Sequence, residues 1–321
     1  MLVFWLVALA LSLVVLVKSA DYFIEASEKV GLILGISPFF IGVTIVAFGT
    51  SLPELLTSVV AVLNDASEIV AANVVGSNIA NILLVAGLTA VVAGKIKIDR
   101  DIVNLDLPLL LAATAGLVIM IAWDKTINIY EGIIAILFYA VYFYYLYKTR
   151  HDSISEELKK KWDEAKAKMA HEKISLSLIA TLILSAVFLV LGAKFTVTSA
   201  LELSTLLGIT TSAIALSAIA IGTSLPELAV TIRAASNGNG DMAIGNIFGS
   251  NLFNGSIVIG IASFFGDLSI TNDVLFIAVP FLVVATMLYT FTGMSRRVYN
   301  YEGAMFVLIY ILFLGKLFNI F

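Results

Sequence analysis

Two identical heptapeptides hold the residues of this chain that could do chemistry within otherwise apolar sequence. GTSLPEL occupies residues 49–55 and recurs letter for letter at residues 222–228. Each copy places a carboxylate, Glu54 or Glu227, after two hydroxyl side chains. The hydroxyl residues are Thr50, Ser51, Thr223 and Ser224. Such oxygens are ligands of hard cations such as Ca²⁺, Na⁺ or Mg²⁺, whereas Zn²⁺ and copper favour Cys and His. The chain has no Cys, and both His lie outside the apolar segments, so a hard-cation site is indicated.

Among hard cations, these residues favour Ca²⁺ over Mg²⁺. Calcium accepts about six to eight oxygens in flexible geometry, and two bidentate glutamates could supply about four of them. The charges of Glu54 and Glu227 would also neutralise one divalent ion. Mg²⁺ gives up water reluctantly and prefers a strict octahedron, so it fits the pattern less well.

A proline and a glycine in each heptapeptide predict a break in the helix that carries it. Pro53 and Pro226 lack an N–H and clash with the preceding turn, and Gly49 and Gly222 relax the backbone beside them. Non-helical backbone inside a bilayer is tolerated only where it lines protein or a cavity, because the freed carbonyl groups need partners. The break therefore adds backbone oxygens to the carboxylates and hydroxyls.

A stripe of polar side chains after each heptapeptide predicts a second wall of the same site. Asn73, Ser77 and Asn81 are four residues apart, which places them on one helix face. The spacing recurs in the second copy, at Asn246, Ser250 and Asn254. Pro, Ser, Asn and Gly taken singly are also common in membrane helices for structural reasons. An ionisable group in mid-membrane costs more, at least about 2.5 kcal/mol for an Asp, and the two glutamates therefore favour an ion site.

The composition requires a membrane around these motifs. Apolar residues make up 60% of the chain and charged residues 13%, and the mean hydropathy is +1.03. Continuous apolar runs of about 20 residues are typical of membrane-spanning helices. We predict an all-α membrane protein of ten spans, and the first span is expected to be retained rather than cleaved as a signal peptide. The predicted spans are 2–24, 36–62, 68–92, 106–122, 129–147, 174–199, 210–235, 242–265, 273–292 and 302–319.

An internal repeat divides the chain into two halves. Glu227 lies 173 residues after Glu54, and the same offset aligns Asn73 with Asn246 and Asn81 with Asn254. We predict a first five-helix repeat at residues 1–148 and a second at 174–321, with the motif regions at 35–92 and 208–265. Since each repeat holds an odd number of spans, the copies must enter the membrane from opposite sides. This inverted-topology repeat is typical of secondary transporters with a site near the midplane.

The distribution of Lys and Arg predicts the orientation. With ten spans, most basic residues fall on one side, including the block from Lys148 to Lys173, and that side is expected to be cytoplasmic. Both termini then face outside, and the cell membrane is the expected location. Residues 149–173 mix charges at helical spacing and are interpreted as a solvated linker.

The motifs resemble the two α-repeats of the sodium/calcium exchangers. The resemblance lies in GTSLPEL followed by GSN-I-AN in the first half, and in GTSLPEL followed by GNIFGSNLFN in the second. It implies that Glu54 and Glu227 are central calcium ligands that also bind sodium. The other implied ligands are the backbone carbonyls of Thr50, Thr223, Ala47 and Ala220, the hydroxyls of Ser51, Ser77, Ser224 and Ser250, and the side chains of Asn81 and Asn254. Some relatives, including the potassium-dependent exchangers, carry Asp where this chain has Asn254, so the resemblance argues against potassium co-transport.

The resemblance also implies the mechanism. Na⁺ and Ca²⁺ would be exchanged by alternating access as spans 1 and 6 slide across a fixed bundle. The expected partners are the lipid bilayer and the two ions, with no nucleic acid, no cofactor and no enzymatic activity, and a monomer is plausible. The linker is short, so the calcium-sensing domains of animal exchangers are not expected.

Three alternatives stay open at this point. A proton/calcium antiporter of the same superfamily is the nearest, because like charges in low dielectric favour protonated carboxylates; that branch usually shows GN-x-x-E instead of GTSLPE. An intramembrane enzyme would need a nucleophile with a base or a catalytic metal, and neither HExxH nor GxSxG occurs. A passive cation channel is the third.

Overall fold

The computed structural model describes residues 1–148, 174–206, 222, 224–318 and 320. The predicted linker at 149–173 lies outside these residues, and so do two predicted site residues, Thr223 and Ala220. Most of the described chain is helical. The helices are α1 (Leu2–Leu34), α2 (Pro38–Thr50), α3 (Leu52–Leu63), α4 (Glu68–Ala93), α5 (Asp106–Asp124), α6 (Ile129–Lys148), α7 (Leu176–Leu206), α8 (Leu225–Ser236), α9 (Gly240–Ser263), α10 (Val274–Met294) and α11 (Asn300–Leu317).

The described residues form an all-α membrane protein. Eight of their helices are long and apolar enough to cross a bilayer. A ninth span is present if α2 and α3, which meet at an angle of 43°, are counted as one broken helix. Of the predicted span at 210–235, only the part from α8 onward is described at length.

The first helix is longer than predicted. The interpretation that span 1 ends near residue 24 is wrong, because α1 continues to Leu34. Charged residues such as Glu25 and Lys29 made the sequence after residue 24 look like a loop, yet Ser27 and Val30 continue the buried face of Phe23 through them. The helix ends at Gly35, whose φ of 66° is a left-handed conformation that favours glycine.

Two central helices, α4 and α9, carry the polar stripes. In the apolar 18-residue stretch of each of these two helices, 83% of the residues are buried inside the protein, against 17–39% in the corresponding stretches of the other spanning helices. A polar side chain on α4 or α9 therefore faces protein rather than lipid. Wide π-helical turns interrupt both helices, at Ala80–Val85 and Asn254–Val258. Regular periodicity cannot predict such turns, which are frequent at functional sites.

The backbones of α2 and α9 are in direct contact at two glycines. A Cβ added at Gly42 would lie 2.4 Å from the carbonyl oxygen of Met242. One added at Gly249 would lie 2.5 Å from the carbonyl oxygen of Val43 and 2.7 Å from Cβ of Ala47. Glycine is required at both positions because the neighbouring atoms belong to the backbone or to a side chain without flexibility.

Gly249→Ala is expected to destabilise the protein, because α2 must move away from α9. Overpacking of this kind typically costs about 1–3 kcal/mol. Thermal unfolding of detergent-solubilised protein measures the loss. Gly116→Ala is the matched control, since a Cβ at Gly116 meets no atom within 4 Å. Equal melting temperatures for the two variants would contradict the packing argument.

Among the described residues, two small antiparallel ribbons connect the halves of the chain. Strand β1 (Lys95–Lys97) pairs with β4 (Arg297–Tyr299), and β2 (Thr126–Ile127) pairs with β3 (Leu268–Ser269). Each ribbon contains one strand from residues 1–148 and one from residues 174–321. The two halves are thus joined at two places besides the helix packing.

A buried ion pair lies next to the β1–β4 ribbon. Arg100 is 2% exposed, and its Nε donates to Oδ2 of Asp106 at 2.9 Å. The hydroxyl of Tyr142 donates to the other carboxylate oxygen at 3.3 Å. Burial would lower the pKa of the Arg100 guanidinium, but the charge and hydrogen bond of Asp106 raise the pKa above its usual range. The backbone N–H of Arg100 also donates to Asp241, and its guanidinium lies 4.6 Å from the ring centre of Phe39. The network connects the starts of α2, α5 and α9.

Candidate ion-binding site

The first heptapeptide forms the predicted break between α2 and α3. Thr50 ends α2, Ser51 lies between the helices, and Pro53 occupies the first turn of α3. Because Pro53 has no N–H, the carbonyl of Gly49 lacks its regular helical donor. Glu54 follows in the same first turn and is completely buried.

The second heptapeptide is described from Ser224 onward. Ser224 precedes α8, Pro226 lies in its first turn, and Glu227 is completely buried, as Glu54 is. A buried carboxylate thus stands at the N-terminal turn of both α3 and α8. Each of them thus follows the helix break of its own heptapeptide directly.

The structure brings the two copies into contact. The hydroxyl of Ser51, in the first copy, donates to Oε1 of Glu227, in the second, at 3.0 Å. Ser51 and Glu227 are 176 positions apart, so the halves meet at the heptapeptides themselves. One hydroxyl and one carboxylate of the predicted site therefore lie within hydrogen-bonding distance.

The polar stripes of α4 and α9 supply the remaining predicted side chains. Ser77, Asn81, Ser250 and Asn254 are completely buried. The amide atoms of Asn81 and Asn254 and the hydroxyl of Ser250 have no hydrogen-bond partner among the described residues. Buried polar atoms normally have partners, and amide and hydroxyl oxygens of this kind fit a bound cation.

The predicted site offers oxygen atoms as ligands. The described residues contain no group of three or more His, Cys, Asp or Glu side chains that could hold a metal ion. The ligands available beside the two glutamates are hydroxyl, amide and backbone oxygens. Ala47, whose carbonyl accepts from the N–H of Ser51 at 3.0 Å, contributes one such oxygen next to the break. Hard alkali and alkaline-earth ions suit this chemistry.

Two hydroxyl residues that contact the polar stripes, Ser58 and Thr231, were not predicted from the sequence. Asn73 donates to Oγ of Ser58 at 3.2 Å, and Asn246 donates to Oγ1 of Thr231 at 2.9 Å. Each hydroxyl lies four residues after a site glutamate. A hydroxyl residue recurs at this position in both copies, and this recurrence could have identified Ser58 and Thr231 from the sequence.

Membrane-spanning helices that enclose buried carboxylates are typical of a membrane transporter for cations. Comparison with known families specifies the class further. The family described as "Sodium/calcium exchanger protein" matches residues 4–148 and 177–318. The chain belongs to the sodium/calcium exchanger family, and the resemblance found in the sequence is confirmed.

Individual relatives match over nearly the whole chain. Sodium/calcium exchanger MaX1 of Methanosarcina acetivorans is 33% identical over 97% of this chain and 98% of its own length. The putative antiporter CaxA of Alkalimonas amylolytica is 29% identical over 93% of this chain and 94% of its own. A structure of the sodium-calcium exchanger NCX_Mj, soaked with Na⁺ and Sr²⁺, has a TM-score of 0.81 and 27% identity, covering 97% of this chain and 98% of that one.

These matches identify the chain as a cation/Ca²⁺ antiporter of the membrane. The family consists of transporters and not of enzymes, and it moves Na⁺ and Ca²⁺ without a cofactor.

Proposed function

We propose that this protein exchanges Na⁺ for Ca²⁺ across the cell membrane by alternating access. The observation that carries the proposal is the hydrogen bond between Ser51 and Glu227, because it joins the two heptapeptides at one buried place. A single site with two carboxylates can hold either one Ca²⁺ or Na⁺ ions, and competition for the same oxygens couples the two fluxes.

The proposed ligands are those that the resemblance implies. Glu54 and Glu227 hold Ca²⁺ and share in binding Na⁺. The other proposed ligands are Thr50, Ser51, Ala47, Ser77, Asn81, Thr223, Ser224, Ala220, Ser250 and Asn254. Complete burial of both glutamates supports this assignment, since ions shielded from water must exchange their hydration shell for protein oxygens.

We also propose the ten-span inverted repeat and its orientation. Asn78 donates to the carbonyl of Asn251, which lies 173 positions later and is its own copy. A residue can contact its copy only near the axis that relates the copies. Strand β3 begins at Leu268, 173 residues after Lys95 at the start of β1, which supports the same symmetry. The orientation is the one that the basic residues predict, with both termini outside and residues 149–173 in the cytoplasm.

Helices α1 and α7 are the proposed moving part. They pack on each other, because Gly192 lies against Leu16, and Thr196 donates to Ser12 at 3.0 Å. Phe23 of α1 covers the break, since a Cβ at Gly49 would lie 2.6 Å from its ring. Sliding of the pair would carry this ring away from the break and open the site to one side.

Sodium is the proposed driving ion rather than the proton. The relatives MaX1 and NCX_Mj are named sodium/calcium exchangers, whereas CaxA is named only as an antiporter. Both copies in this chain read GTSLPE and lack the GN-x-x-E pattern of the proton/calcium branch. A proton-driven antiporter is the second candidate.

Flux measurements in liposomes test the driving ion. An outward Na⁺ gradient at equal pH is expected to drive uptake of labelled Ca²⁺, and collapse of that gradient should stop it. Gradients of K⁺ and of pH, imposed one at a time, are the controls and should drive no uptake. Uptake that follows the pH gradient alone would favour the proton antiporter. Flux that persists without any counter-ion would favour a channel.

A further inference from the structure

Two asparagines of the polar stripes have a role different from that of their neighbours. We propose that Asn73 and Asn246 are positioning residues, which fix the positions of α3 and α8, the helices that carry the two glutamates, along the axes of α4 and α9. The proposal rests on the exchange function above. It divides each stripe into one positioning residue and two residues, a Ser and an Asn, that face the ions.

In the first half, Asn73 connects α4 to α3. Its Nδ2 lies 3.2 Å from the backbone carbonyl oxygen of Glu54 and 3.2 Å from Oγ of Ser58. The amide nitrogen carries two protons and can donate to both oxygens. One bond therefore reaches the residue that carries the carboxylate, and the other reaches the next turn of the same helix.

In the second half, Asn246 connects α9 to α8 and also to α2. Its Nδ2 donates to Oγ1 of Thr231 at 2.9 Å. Its Oδ1 lies 3.3 Å from Oγ1 of Thr50, which is also 3.1 Å from the carbonyl oxygen of Val46. The single hydroxyl proton of Thr50 can be donated to only one of these oxygens at a time. Asn246 thus bridges the break in the first half and the helix of Glu227.

The hydrogen bonds of the donor groups fix the orientation of these two amides. The NH₂ group of each asparagine points toward a glutamate helix and uses its protons there. Asn73 is 7% exposed and Asn246 is 1% exposed, so water does not compete strongly for these bonds.

The positions of the two hydroxyl residues along their helices show how the hydrogen bonds from Asn73 and Asn246 align the helices. Ser58 and Thr231 lie four residues after Glu54 and Glu227, one helical turn further along the same face. Ser77 and Ser250 lie four residues after Asn73 and Asn246, on the facing helices. Each hydrogen bond therefore sets the register between a glutamate and the stripe beside it. Ligand shells need such registers to within about 0.5 Å.

Removal of the hydroxyls tests the proposal without touching a ligand. In liposome flux assays, Ser58→Ala and Thr231→Val are each expected to raise the half-saturating concentrations of Ca²⁺ and Na⁺ together, by about fivefold to tenfold. Ser58→Thr and Thr231→Ser keep the hydroxyl and should transport as the natural protein does. Thr286→Val removes a buried hydroxyl outside the proposed site, which donates to the carbonyl of Leu282 at 2.8 Å and lies 3.5 Å from the hydroxyl of Thr114, and it should change neither concentration.

Double variants separate positioning from ligation. If Ser58 acts only through Asn73, Asn73→Ala with Ser58→Ala should bind both ions as Asn73→Ala alone does. Additive losses, a shift for one ion only, or unchanged affinity in Ser58→Ala and Thr231→Val would each overturn the positioning role. Binding to purified, monodisperse protein by calorimetry keeps the test independent of insertion into liposomes. Normal exchange by Glu54→Gln would instead refute the proposed function, so the two failures are distinguishable.

Discussion

Glu54→Gln and Glu227→Gln are each expected to abolish calcium exchange while the protein still folds and inserts. Glutamine has nearly the same shape, so the buried space stays filled. One negative charge opposite a divalent ion is lost, however, and removal of one partner of a buried charged pair typically costs at least about 2 kcal/mol. A loss of affinity of about 30-fold or more follows.

Sodium-driven uptake of labelled Ca²⁺ and calorimetric binding measure this loss. Glu68→Gln is the matched control, because Glu68 lies in the first turn of α4 but is exposed, and its variant should transport normally. Equal transport by Glu54→Gln and Glu68→Gln would contradict the assignment of the site. A loss in only one of the two site variants would show that the copies do not share one ion.

Arg100→Met is expected to give the largest loss of stability. It leaves the carboxylate of Asp106 buried without the guanidinium that Nε brings to 2.9 Å. Breaking a buried pair on one side typically costs about 3–5 kcal/mol, whereas replacing both partners with apolar residues is often neutral. The combination of Arg100→Met with Asp106→Leu should therefore recover much of the stability that the single change loses.

Thermal unfolding in detergent provides the comparison. Arg297→Met, at an exposed basic residue of β4, should change stability by no more than about 0.5 kcal/mol. If the double variant is less stable than Arg100→Met alone, the remaining contacts of the network, such as that of Tyr142 with Asp106, matter more than the charge pair. The network is remote from the proposed ion site, because Asp241, its member on α9, lies nine residues before the proposed ligand Ser250, about 13 Å along a helix. The calcium affinity of the folded variant should therefore be retained.

The elements of the fold could be predicted closely because the apolar runs are long. The predicted span 68–92 is observed as Glu68–Ala93, and 129–147 as Ile129–Lys148. The break at the first heptapeptide was also predictable, since the effect of Pro53 on the helix is local. The end of α1 was not, because charged residues on one face of a helix look like a loop when the buried face is unknown.

The chemical nature of the candidate site could be predicted from the sequence, but the contacts between its residues could not. A carboxylate in apolar sequence is costly wherever it packs, and its repetition already indicated an ion site. The contact of Ser51 with Glu227 and the bonds of Asn73 and Asn246 depend on which helix lies opposite, and a single periodic pattern is compatible with several neighbours.

By itself, the sequence determined that this chain crosses a membrane as helices and contains two copies of an acidic motif. Hydropathy and the hydrogen-bonding needs of the backbone act over one helix at a time, so they can be evaluated along the chain. Only the tertiary structure decided that Arg100 is buried and that the first heptapeptide touches the second. These features arise from packing between residues far apart in sequence, where close approach of backbones at glycines such as Gly249 selects one arrangement of helices.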